Sequence, residues 1–206
     1  NTPSLTPTGA PSTATPTPAP VIFQDGFESS NLSAWTSSAG LTVQTATVHL
    51  GSFAAQGNTT NGTTYAKKTL PATYSDGYAR VYFNLVSYSS QVNVLRLRTA
   101  ADASLAYLFI NTAGKLSLRI DAAAVTLTST TSVSSGWHAL ELRLMINGAS
   151  GLTEVWLDGV RINDLSVTAN LGSTPIGRLQ IGEVQNGRTY NLVLDDASFA
   201  TQRIGL

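Results

Sequence analysis

An all-β fold, two antiparallel sheets packed face to face as a jelly-roll β-sandwich, is what this sequence predicts, and three observations predict it. Apolar and polar residues alternate with a period of two in segment after segment, and no stretch holds a helical period for three turns. Clusters of Gly, Asn, Ser and Thr divide these segments at intervals of about 8–12 residues, the spacing of short strands and turns. The clearest pair, Trp137 to Asp158, reads as a hairpin with one apolar face, which needs a second sheet behind it.

In that hairpin Leu140, Leu142 and Leu144 alternate with Ala139, Glu141, Arg143 and Met145. Val155 and Leu157 resume the inward set, with Glu154, Trp156 and Asp158 outward. Asn147-Gly148-Ala149-Ser150-Gly151 between them offers the positive φ angles of a tight loop. Matching the apolar sets predicts Leu142 opposite Leu157 and Leu144 opposite Val155. Arg143 is then expected to face Trp156, and Glu141 to face Asp158.

Taken in order, residues 1–20 are almost entirely Thr, Pro, Ser and Ala. Such a segment cannot fill a core, so it is expected to be a disordered linker. The folded domain is expected over residues 21–206. Val21, Phe23, Asp25 and Phe27 share one face of a first strand, and Asn31 to Trp35 forms a turn that pins it. A weak strand follows from Leu41 to Val48, and another starts at Phe53. Further strands are expected at Tyr65–Leu70, Tyr78–Leu85, Asn93–Arg98, Leu105–Ile110, Leu116–Ile120 and Ala124–Val133. After the hairpin come Leu165–Ala169, Arg178–Glu183 and Tyr190–Phe199.

Composition narrows the function. The chain has 206 residues, 42% of them hydrophobic, which suffices for a core without staples. Only 12% are charged and the net charge is zero, so there is no basic excess to bind nucleic acid. No cysteine is present, which excludes disulfides and thiol catalysis. No run of eighteen apolar residues occurs, so no membrane span is expected. The outward positions are not hydrophobic enough to demand a dimer, and a monomer is expected. The Thr/Pro segment is of the kind that joins modules of secreted proteins, so a secreted or cell-surface location and neighbouring domains are expected.

Several motifs then occur in one order: Phe27-Glu28 before Trp35, Gly51-Ser52-Phe53, Tyr78-Ala79-Arg80-Val81-Tyr82, Gly136-Trp137-His138, Val155-Trp156-Leu157-Asp158-Gly159-Val160, and Asp195-Asp196-Ala197-Ser198-Phe199. Together they resemble the concanavalin A-like lectin/glucanase superfamily, particularly its laminin-G-like jelly rolls in secreted bacterial proteins. The end motifs, Asp25 to Ser29 and Leu192 to Phe199, are similar to those of calcium-containing carbohydrate-binding jelly rolls. The resemblance spans about residues 21–206. It implies a concanavalin A-like fold with first and last strands side by side, and the fold alone names no ligand.

The residues argue against catalysis. Glycoside cleavage needs two carboxylates roughly 5–10 Å apart, and the acids here are scattered apart from Asp195-Asp196. Glu141 and Asp158 are the one cross-strand candidate, and Arg143 nearby makes an ion pair the simpler reading. His138 follows Trp137 with the parity of the inward leucines and reads as a partly buried structural histidine, and nothing marks a triad or metal arrangement around His49. The expectation is a non-catalytic module binding a polysaccharide or glycan on the concave sheet. Its ligand-binding residues would be Tyr78, Arg80, Tyr82, Arg96, Arg98, Arg143 and Trp156, because sugars stack on aromatic rings and hydrogen-bond to Arg. Tyr107, Arg119, Glu141 and Glu154 extend that face, and its five arginines lean it towards acidic glycans. The alternatives are a spacer or adhesion domain, or a polysaccharide-degrading enzyme. Where the resemblance brings the chain ends together, Glu28 and Asp196, with Asp25 and Asp195, would hold a structural calcium ion, since clustered carboxylates repel without a cation.

Overall fold

The computed structural model describes residues 21–206; the expected linker at 1–20 lies outside them. The first half of the domain contributes β1 (Val21–Asp25), β2 (Ser37–Ala39), β3 (Thr42–Gln44), β4 (Ala54–Thr59), β5 (Thr64–Tyr74), β6 (Asp76–Tyr88), β7 (Val92–Arg98) and β8 (Ser104–Ile110). The second half contributes β9 (Lys115–Ile120), β10 (Val125–Ser132), β11 (Trp137–Met145), β12 (Gly151–Leu157), β13 (Val160–Arg161), β14 (Thr168–Ala169), β15 (Ile176–Glu183) and β16 (Tyr190–Ala200). Sheet I runs β13-β12-β11-β6-β16-β4-β3, with β1 also on β16 and β14 on β12. Sheet II runs β10-β9-β8-β7-β15-β5-β2, and all pairings in both sheets are antiparallel. The expected jelly-roll sandwich is the architecture.

One hydrophobic cluster fills the space between the sheets. Sheet I contributes Phe83, Leu140, Leu142, Leu144, Leu192, Leu194 and Phe199, and sheet II contributes Leu95, Leu97, Leu108, Ile110, Leu118 and Ile181, all fully buried. Their period of two explains the strands: one side of each is in the core and the other faces out. Trp35 lies edge-on to Phe23 at 5.0 Å and stacks at 6.3 Å on Phe27, so the turn after β1 does pin the first strand.

Some elements differ from expectation. Leu41–Val48 is not one strand. Gly40, at φ +68°, kinks the chain between β2 and β3, and a Cβ there would lie 2.0 Å from the Thr63 carbonyl oxygen. Leu165–Ala169 reduces to β14, preceded by a 3-10 turn at Asn163–Leu165.

The hairpin register is corrected by two residues. Leu140 faces Leu157, Leu142 faces Val155, Glu141 faces Trp156 and Arg143 faces Glu154. A 3-10 turn at Gly148–Ser150 tightens the loop, and Gly151 enters the strand, so Met145 pairs with Leu152. A slip of two preserves which face each side chain takes, so the apolar pattern could not detect it.

Candidate functional site: two polar sheet faces

The expected binding set does not form one surface. Tyr78, Arg80 and Tyr82 on β6, Arg143 on β11 and Trp156 on β12 share the outer face of sheet I. Arg96 and Arg98 on β7, with Tyr107 on β8 and Arg119 on β9, lie on sheet II. The chain crosses from one sheet to the other between β6 and β7, so two outward faces that alternate identically in sequence point in opposite directions.

On sheet I most of the side chains satisfy one another, and Arg80 Nε is buried without a partner. Arg143 donates from Nε and Nη2 to both oxygens of Asp76, at 2.9 and 2.7 Å, and from Nη1 to Glu154 at 2.8 Å. The hydrogen bonds to Asp76 lead in holding its guanidinium even more firmly protonated than usual. Trp156 is not packed between the sheets. It lies on the outer face but is only 7% exposed, beside Tyr78 at 6.2 Å and beneath Arg203, whose Cζ is 4.8 Å from the indole centroid. Arg80 lies over the Tyr82 ring at 5.0 Å, and His49 stacks on Tyr82 from the other side of the loop after β3, at 3.7 Å.

Sheet II presents a different face. Arg96 is 7% exposed, its Cζ lies 4.1 Å from the centroid of the Tyr107 ring, and only Nη1 has a partner, Ser104 Oγ at 3.5 Å. Its Nε and Nη2 have none. Burial, then the charge of Arg98, makes the Arg96 guanidinium less firmly protonated than usual. Arg98 donates to Gln180 Oε1 at 2.6 Å and to the Asp102 carbonyl at 2.5 Å. Asp102, at the tip of the β7–β8 loop, collects Lys67 at 2.7 Å, Arg178 at 3.3 Å and Arg98 at 3.7 Å. Burial alone would raise its carboxyl, but the Lys67 hydrogen bond and the three cations outweigh that and hold it below the usual range. Buried Asn93 donates from its backbone N and Nδ2 to Glu183, each at 3.1 Å, and leaves its own Oδ1 without a partner. Gln180, Arg178, Glu183 and Asn93 were missed as site residues. Their signal was there in the polar positions of Asn93–Arg98 and Arg178–Glu183, but nothing in sequence makes those strands adjacent.

The histidines form local ties. Ser134 Oγ, His138 and Asp158 fall in the order nucleophile, base and orienting acid, at 3.1 and 2.7 Å. His138 Nε2 is also 3.1 Å from the Ser134 carbonyl oxygen. The trio fastens a loop to the turn after β12. The expected Glu141–Asp158 pair is not formed, because the two-residue slip carries Asp158 past it to His138.

Where the chain ends meet, β1 pairs with residues 197–200 of β16 and β4 with residues 190–194, along the same edge. Between them the register shifts, and Asp196 sits at φ 47°. Asp25, Glu28 and Asp196, with Arg80, line one cavity of about 370 Å³ there. Each carboxylate is already engaged. Asp25 accepts from Phe27 N and Trp35 Nε1, Glu28 from Ser52 N and Phe53 N, and Asp196 contacts His49 Nδ1 at 2.8 Å. Asp195 accepts from His49 N and Asp196 N. Among the described residues no three His, Asp or Glu side chains are grouped as one ion's ligands. As placed, these side chains do not by themselves make the six-to-eight-oxygen shell calcium takes.

No family model and no curated protein matches this chain. Solved structures do. Cellulose induced protein, Cip1, is 19% identical with a TM-score of 0.72, over 89% of this chain and 99% of that one. A Trypanosoma rangeli sialidase is 13% identical at 0.59, over 82% of this chain and 30% of its own. A botulinum neurotoxin type C structure is 10% identical at 0.53, over 81% of this chain and 43% of its own. Among the described residues no helix is long and apolar enough to cross a membrane. The sheet order and these likenesses agree on one fold: this chain is an all-β, two-sheet jelly-roll sandwich.

Proposed function

We propose that the chain binds an extended polysaccharide or glycan, without cleaving it, through the outer face of sheet II. One observation carries the reading. Arg96 holds a guanidinium over nine-tenths buried on an outward position, its Cζ 4.1 Å from the Tyr107 centroid, with Nε and Nη2 buried and unpartnered. Buried donors are nearly always satisfied, so a ligand that displaces the cover over these two would find donors for its oxygens. Arg98 and Arg178 beside it, which share the single carboxylate of Asp102, add positive charge that favours a glycan bearing carboxylates. The similar structures support the class: two are Trypanosoma rangeli sialidase in complex with 2,3-difluoro-KDN or DANA, and cell entry of botulinum neurotoxin type C depends on interaction with two ganglioside molecules. On sheet I, by contrast, Arg143 is saturated by Asp76 and Glu154, and Trp156 is covered. The Thr/Pro segment supports a secreted module tethered to other domains. A calcium ion seated where β1 closes on β16 is a separate proposal, supported by the cavity that Asp25, Glu28 and Asp196 share.

Affinity electrophoresis in neutral and acidic polysaccharides, with melting temperatures alongside, tests the glycan reading. Arg96→Ala is expected to weaken retention about tenfold or more, and Trp156→Ala to leave it unchanged. Loss with Trp156→Ala but not with Arg96→Ala would move the site to sheet I. No retention of the unaltered protein on any glycan would leave a spacer.

A further inference from the structure

We propose that the outer face of sheet I is a binding site for an arginine-bearing peptide segment, filled in this structure by the chain's own residues 203–206. Glu141 is the reason. Its position on β11 faces outward, yet it is only 3% exposed, and no strand supplies it a donor. Its two oxygens accept from Ile204 N at 2.7 Å and Gly205 N at 3.2 Å, with Arg203 Nε at 3.8 Å. Arg80 Nη1 donates to the Gly205 carbonyl at 2.8 Å. Arg203 lies over Trp156 and donates from Nη2 to the Gly159 carbonyl at 3.0 Å.

These contacts read as a recognition pattern rather than an extension of the sheet. None belongs to a strand ladder: β16 ends at Ala200, Thr201 and Gln202 are exposed, and the segment then crosses the face through side-chain contacts. The carboxylate grips two successive main-chain N–H groups, a guanidinium grips the next carbonyl, and the indole receives a cation. Successive N–H donors beside a cationic side chain are peptide chemistry. A sugar offers hydroxyls and C–H faces but no charge for the indole. A buried carboxylate stripped of its donors is costly, so this face favours an occupant, and an internal one lowers the apparent affinity for any other. The same segment supplied from another chain fits wherever the internal one is released.

The test uses the full chain with Arg203→Glu, which sets like charge against Glu141, and the milder Arg203→Ala in case the first folds poorly. Hydrogen exchange at the Ile204 and Gly205 amides is expected to speed up at least tenfold in either variant. An amidated peptide of residues 200–206 is then titrated by tryptophan fluorescence. It is expected to bind the released variant at least tenfold more tightly than the unaltered protein. Adding Glu141→Gln should weaken that binding about tenfold. The inference is overturned if exchange at the two amides is unchanged, or if the released face ignores the peptide. It is equally overturned if the peptide binds regardless of Glu141→Gln, or if oligosaccharides rather than the peptide protect the face.

Discussion

Asp195 shows how much one buried carboxyl controls. It is fully buried where β1 and β4 meet along β16, and its pKa is raised to about 6, first by burial and then by the charge of Asp196, against N–H donors from His49, Asp196 and Leu50. Because the folded value lies above the ordinary 3.8, the folded state holds this proton more tightly than the unfolded chain. Its contribution is therefore fully present below about pH 4 and is lost as pH rises to about 6. Holding the proton up to about pH 6 instead of 3.8 is worth on the order of 2–3 kcal/mol. Asp195→Asn keeps the shape and removes the titration. Melting temperatures measured across that window should fall less steeply with pH in the variant, and parallel curves would contradict the assignment.

At the scale of elements, the β11–β12 hairpin is the informative case. Its register decides whether Arg143 meets Trp156 or Glu154, and the structure puts it opposite Glu154 with a 2.8 Å contact. A double-mutant cycle on Arg143 and Glu154 should return a coupling of about 0.5–1 kcal/mol, modest because both side chains are partly exposed and Arg143 keeps Asp76. Coupling indistinguishable from zero would favour the other register. β16 teaches the same lesson. Leu192 and Leu194 point inward, then Ala197 and Phe199 do, so the odd step between Leu194 and Ala197 is the bulge written into the sequence. It turns Asp195 and Asp196 towards the loop that carries His49.

Over the whole molecule, the sandwich is fastened where its ends meet. β1 lies on the last strand, and the carboxylates of Asp25, Glu28 and Asp196 around the junction are held by Phe27 and Trp35 from the loop after β1 and by His49 and Ser52 from the loop after β3. Calcium there would share the Asp25 and Glu28 carboxylates with those donors. Melting in calcium and in a chelator measures this directly. A rise of several degrees with calcium would support an ion at the closure, and equal melting temperatures would exclude one.

What the sequence determined by itself was everything that depends on a period of two. Leu140, Leu142 and Leu144 had to be core, Phe23 and Phe27 had to be pinned by Trp35, and so many short amphipathic strands had to stack as two sheets. It also carried the break in β16 and the order of motifs behind the expected jelly roll. It did not decide which strands share a sheet. Tyr82 and Arg96 have the same outward parity and lie on opposite sides of the molecule, because alternation is local and pairing partners lie far apart in the chain. Nor did it decide that Glu141 and Trp156 are covered, since their cover is a segment some sixty and some fifty residues away, respectively. Only the tertiary structure brings Ile204 and Gly205 to that carboxylate and leaves Arg96 with donors to spare: hydrogen-bond satisfaction belongs to the assembled surface, and no single strand contains it.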